Sequence, residues 1–145
     1  MAIEIPNQEH TVGIPSQWKD TISAPLGALF LSMHPAALTF DYVIAPNQEL
    51  KANTVVGFND DNQIVAAVKA DGENEGVQAI GVLPIDVTTG ATPLVGTGIY
   101  RAGHFNHKRL VWDASYATDA DKIMAFEGAP TPTNIRVGAP KSYTP

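Results

Sequence analysis

The pair His104 and His107, in Gly103-His104-Phe105-Asn106-His107, is the spacing that most invites chemistry, since two imidazoles three residues apart can share a metal ion. Zinc needs three or four ligands, however, and the chain has no Cys, while His10 and His34 lie far away in sequence. The pair is therefore expected to be loop histidines, with no metal bound. Gly96-Thr97-Gly98 has the glycines of a phosphate loop, but neither a Lys-Ser/Thr pair nor an opening helix follows, so a glycine-bearing strand is expected. Asp60-Asp61-Asn62 lacks the glycine and closing glutamate of a calcium loop and reads as a solvated turn. Ser16, Ser23, Ser32, Ser115 and Ser142 include no Gly-x-Ser-x-Gly and no Ser-x-x-Lys. Asp119 and Asp121 fall where helix capping explains them, and Phe105 and Trp112, flanking Leu110 and Val111, suit anchoring better than ligand stacking. No residue set reads as catalytic, and no cofactor is expected.

The elements that carry these residues follow from composition. At 145 residues the chain is one domain's worth, long enough for a core. With 12 Gly, 11 Pro and 44% hydrophobic residues it predicts a turn-rich, mostly β domain rather than a disordered polymer. Lack of Cys leaves the redox compartment open. The net charge of -6 argues against nonspecific nucleic-acid binding, which needs clustered Lys and Arg. That charge is uneven: Met1 to Gly98 carries 3 basic and 11 acidic residues, Ile99 to Pro145 carries 6 and 4. The asymmetry fits either solvated surface or surfaces of opposite sign suited to contacts between copies or on a charged lattice. Ala24 to Met33, ten apolar-rich residues broken by Pro25 and Gly27, falls short of the roughly 20 that a spanning helix needs. Glu4, Glu9 and Asp20 against Lys19 provide no cationic lead for a signal peptide, so gene product and mature chain are expected to coincide.

Met1 to Pro25 is polar, punctuated by Pro6, Gly13, Pro15 and Pro25, and has no helical period. It reads as an extended arm, in which Ile3 and Ile5 alternate around Glu4 and Val12 and Ile14 around Gly13. Such pieces cannot bury an apolar face alone; they are either a tail or strands for a partner's sheet edge. From residue 26 to 145 a single β-rich domain is expected. Ala52 to Phe58 and Ile64 to Lys69, joined by Asn59-Asp60-Asp61-Asn62, read as a hairpin. Val77 to Val87 reads as one long strand with a bulge or an edge at Gly81 and Pro84, and Leu94 to Ala102 as its return. The spacing favours an antiparallel β architecture over βαβ units. One short helix is predicted after Thr118, with Gly128 past its end and Ile123 and Phe126 packed on the sheet, then a closing strand at Asn134 to Val137.

Ile99 to Phe126, IYRAGHFNHKRLVWDASYATDADKIMAF, resembles the head decoration proteins of tailed bacteriophages, the family of the lambda capsid decoration protein. The resemblance rests on Tyr100-Arg101-Ala102-Gly103, Phe105, Leu110-Val111-Trp112, the acidic, alanine-rich helix running to Ala125-Phe126-Glu127-Gly128, and a last strand near Ile135. Leu50 to Gly57 and Ala79 to Leu83 are similar to earlier strands of the family, so the likeness spans about residues 50 to 137. It implies a mainly β, compact β-clip-like domain with one short C-terminal helix and an extended N-terminal arm. It also implies trimers at threefold positions that cement the expanded head against internal DNA pressure, on the outer surface of the virion. The partners implied are the major capsid protein and further copies of the chain, with no nucleic acid and no membrane. Ile3, Ile5, Val12 and Ile14 are then the capsid-binding residues of the arm, and Tyr100, Phe105, Leu110, Trp112 and Phe126 the core or trimer anchors. Leu26 to Ala45 exceeds the short family form and could be extra core, a larger trimer contact or a longer clamp.

Two other functions compete. Deoxyuridine triphosphatases are also compact β-clip-like trimers, but their magnesium-binding acidic cluster beside a phosphate-binding glycine/serine stretch has no counterpart here. A virion-displayed carbohydrate or receptor-binding module would use Trp18, Tyr42, Tyr100, Trp112 or Tyr116 as stacking platforms.

Overall fold

The computed structural model describes residues 28–140; the arm residues Ile3, Ile5, Val12, Ile14 and Trp18 lie outside them. The chain is mainly β, with nine strands and one short helix among the described residues. In order these are β1 (Phe30–Ser32), β2 (Leu38–Ile44), β3 (Glu49–Leu50), β4 (Val55–Phe58), β5 (Ile64–Ala66), β6 (Ala79–Val82), β7 (Val87–Thr88), β8 (Leu94–Asn106), α1 (Asp119–Ile123) and β9 (Asn134–Gly138). A 3-10 turn, His107–Arg109, follows β8 directly.

Seven strands form one sheet in the order β1-β8-β2-β5-β4-β6, with β9 beside β8. Because β6 also pairs β8, at Val82 opposite Tyr100, the path β8-β2-β5-β4-β6 closes on itself into a small barrel-like ring. The predicted hairpin is β4–β5, with Phe58 opposite Ile64. Asn59 makes its turn: the Oδ1 accepts from the backbone N–H of Asp61 at 3.0 Å and of Gln63 at 2.9 Å, while Asn62 takes the left-handed conformation at φ 60°.

Three expectations change. The sheet is mixed rather than antiparallel, since β9 runs parallel to β8 and β2 meets β5 in parallel; a loop that carries α1 between β8 and β9 makes the parallel return possible. The expected strand Val77 to Val87 is two strands, because Pro84 cannot donate to a ladder, and its first half, β6, is an interior strand paired on both sides. The helix presents Phe126 to the core from the turn beyond it, but Ile123 is exposed, because five residues of helix bring only one side to the domain.

Successive residues of β4 feed different cores, as a pleated strand requires: Val55 joins Val82, Phe105, Leu110, Tyr116, Phe126, Ile135 and Val137, whereas Val56 joins Ile44, Ile64, Ile80, Leu83 and Ile99. Burial on both faces explains why these segments read as continuous apolar runs instead of alternating ones. Gly57, buried in β4, has no room for a side chain: a Cβ there would land on the carbonyl oxygen of Gln78 and 2.6 Å from Val77 Cγ1. Gly57→Ala is expected to cost about 1–3 kcal/mol in denaturant unfolding, since a backbone carbonyl cannot step aside as a side chain can. Unchanged stability would mean that β4 and the Gln78 backbone separate freely.

Candidate functional site

The described chain begins at a clamp. Asn106, fully buried at the end of β8, donates from Nδ2 to the Ala28 carbonyl at 3.0 Å, its backbone N–H donates to the Leu29 carbonyl at 2.8 Å, and its Oδ1 accepts from the Lys108 N–H. Next to it Phe30 pairs with Phe105 across β1 and β8 and packs its ring 4.9 Å from Phe105 and edge-on to Tyr100 at 5.5 Å. One residue pair further, Ser32 Oγ meets His104 Nδ1 at 2.8 Å and donates to the His34 carbonyl at 2.9 Å, so the imidazole donates to the serine. Burial, and then the charge of Arg136, lower the His104 pKa from its ordinary 6.5. With a depressed histidine the unfolded chain protonates first, so stability from neutral His104 is present above about pH 6.5 and declines below it. These contacts hold Ala28, Leu29 and Phe30 against the end of β8.

His104 and His107 do not converge. His107 is buried, with Nδ1 3.8 Å from Asp119 and its carbonyl accepting from Trp112 Nε1 at 2.9 Å. Among the described residues no three His, Asp or Glu side chains are placed to hold a metal ion, and no helix is long and apolar enough to cross a membrane. Gly96-Thr97-Gly98 lies within β8, where Gly96, at φ 89°, is an extra residue between the pairs Tyr42–Thr97 and Val43–Val95.

A second network joins β2 to β8. Arg101 is 2% exposed, and all three guanidinium nitrogens are engaged: Nε donates to Thr133 Oγ1 at 2.8 Å, Nη1 to the Tyr42 hydroxyl at 2.5 Å and Nη2 to the Pro130 carbonyl at 3.1 Å. The cation also lies over the rings of Tyr42 and Phe58, 5.5 and 5.8 Å from their centroids. Thr133 passes the network on to the Ile80 carbonyl. Sequence reasoning singled out neither Arg101 nor Asn106 for these roles, because their partners lie up to 78 residues away.

Of the aromatic and apolar anchors, Phe105, Leu110 and Phe126 are buried in one core, while Tyr100 and Trp112 are half-buried against it. Trp112 packs on Tyr116, whose phenol is pushed up to about 12 by burial and then by Asp113. Tyr42, Tyr100, Trp112 and Tyr116 all turn their rings to neighbouring aromatics, so none stands as an exposed stacking platform. An open cleft of about 390 Å³ lies between α1 and the Val68–Val77 bridge, where Lys69 Nζ pairs with Asp121 at 3.0 Å and Gln78 donates to the Ala125 carbonyl. The hydrogen bond from Lys69 is the leading cause that lowers the Asp121 pKa.

Such an arrangement defines a small mixed-β structural domain: its buried polar groups lock strand to strand and hold Ala28 and Leu29 on the end of β8. The family model of the bacteriophage lambda head decoration protein D matches residues 21–130, about three quarters of the chain, and the chain belongs to that family. The match begins well before Leu50, so β1 and β2 belong to the family's domain. The protein is a structural component of the phage head with a capsid decoration role. No curated protein matches the chain.

Proposed function

We propose that the protein binds the expanded head as trimers at threefold positions on its outer surface and stabilises it against internal DNA pressure. The observation that carries this reading is the family match over residues 21–130. The partners are the major capsid protein and two further copies, and the chain is made in the bacterial host cytoplasm before it joins the virion. In this reading Met1 to Pro25 is the capsid-binding arm, and Ile3, Ile5, Val12 and Ile14 give it one apolar face for strand addition. Tyr100, Phe105, Leu110, Trp112 and Phe126 are the core or trimer anchors. Many copies on one shell share the load, so each contact can be modest while the assembly resists rupture.

Co-sedimentation with expanded, undecorated heads and with unexpanded proheads tests the reading. Saturable binding to expanded heads alone, with raised resistance to heat, is the expected result; binding to neither would reject it. Deleting Met1 to Ile14 is expected to weaken head binding about tenfold or more, equivalent to about 1.4 kcal/mol, with thermal unfolding of the domain unchanged. Unchanged affinity would remove the arm from the contact.

A further inference from the structure

We propose that the outer edge of β2, from Leu38 to Tyr42, accepts an extended strand whose apolar residues alternate with a lysine or arginine. The source assigned to that strand, the shell, rests on the function proposed above; the edge itself does not. β2 pairs along its whole length with β8, but it meets β5 only at Ile44, opposite Ile64, where Ala45 N–H also donates to the Ile64 carbonyl. In that parallel bridge the Val43 carbonyl faces the Ile64 N–H, so the stretch of β2 paired with β8 alone among the described residues is Leu38 to Tyr42. Along Leu38 to Tyr42 every second residue therefore turns its backbone N–H and C=O away from β8, a row of donors and acceptors for an incoming chain.

Nothing in this stretch protects the edge. Leu38-Thr39-Phe40-Asp41-Tyr42-Val43 contains no proline and no lysine, and the extra residues that break the β2–β8 register, Gly96 and Arg101, both sit on β8. β2 is left regular, and Arg101 holds it in place through Tyr42. Its two faces specify what can pair. Leu38 and Phe40, 54% and 42% exposed, share one face and need apolar neighbours, whereas exposed Asp41 lies on the other face with Thr39 and needs a cation. Exposed Asp60 and Asp61, in the turn that leads to Ile64, add negative charge at the inner end of the edge. This chain's own Ile3-Glu4-Ile5 has the apolar alternation but sets a carboxylate between the isoleucines, the wrong sign to lie across from Asp41. A basic, alternating strand from the shell supplies the cation that neither Ile3-Glu4-Ile5 nor Val12-Gly13-Ile14 sets between its apolar residues.

The test uses the full chain with two synthetic peptides of alternating valine, one with lysine and one with glutamate between the valines, and follows hydrogen exchange of the amides between Leu38 and Tyr42 that point away from β8. The lysine peptide is expected to slow exchange about fivefold more than the glutamate peptide, the order of one cross-strand charge pair, and Asp41→Lys to invert the preference. Equal slowing by both peptides, or none, overturns the proposal. So does slow exchange of those outward-facing amides in the free chain, whether it depends on concentration, which marks a second copy, or disappears when Met1 to Ile14 is deleted, which marks the arm. With expanded heads, co-sedimentation without slowed exchange at those outward-facing amides overturns the shell as the source. Absence of co-sedimentation instead overturns the proposed function and leaves the peptide result standing.

Discussion

Phe105→Ala is expected to lower unfolding stability by about 3–5 kcal/mol, the largest loss of any single truncation in this domain. The ring is fully buried and is gripped from three sides: by Phe30 at 4.9 Å, by Tyr100 at 5.7 Å, and by the backbone at Gly103, where a Cβ would come within 2.9 Å of Cε2. Phe105 also holds the register of two neighbouring strands, opposite Phe30 of β1 and Val137 of β9. Truncation therefore removes transfer free energy and leaves a cavity that three paired strands cannot easily close. In a chain of this size the midpoint should fall by about 10 °C or more. Trp112→Ala should cost clearly less, because that ring is only half-buried, although it forfeits the bond from Nε1 to the His107 carbonyl. A Phe105→Ala loss under about 1 kcal/mol, or a larger loss for Trp112→Ala, would mean that the core is centred elsewhere.

Arg101→Ala is expected to cost about 2–3 kcal/mol. Two effects oppose each other. Removing a buried cation that has no carboxylate partner among the described residues relieves its desolvation, which favours the variant. Against this stand three charge-assisted hydrogen bonds and two ring contacts. The second effect wins because a planar fork satisfies three acceptors on separate elements at once, and no smaller group reaches all of them. Arg101→Lys should thus recover only part of the loss, and Arg101→Met should restore packing without the bonds. If Arg101→Met proves as stable as the parent in urea unfolding, the bonds contribute nothing net and packing alone explains the burial.

How far these features could be read in advance depends on how local their causes are. The β4–β5 hairpin was legible because Asn59 and Asn62 make its turn within five residues. The start of α1 was legible for the same reason: Thr118 Oγ1 accepts from the Asp121 N–H at 3.1 Å, with two aspartates in the first turn. Strand β2 left a trace that went unused, the alternation of Leu38, Phe40, Tyr42 and Ile44, obscured by the apolar run before it. The edge that β2 leaves unpaired among the described residues had no trace at all, since an edge is defined by which strand does not lie beside it.

Sequence by itself determined a mainly β chain, the turns, the helix cap and the likeness to head decoration proteins. Each follows from residue type and short-range spacing, which act over one or two turns of chain. Only the tertiary structure decided that β9 returns parallel to β8, that β6 closes the ring, that Arg101 is buried on Tyr42 and Thr133, and that Asn106 clamps Ala28. Those outcomes depend on which distant segments share the two ends of the long strand β8. That choice is made by the joint burial of two cores and the satisfaction of buried polar groups, quantities that belong to the closed sheet and to no segment of it.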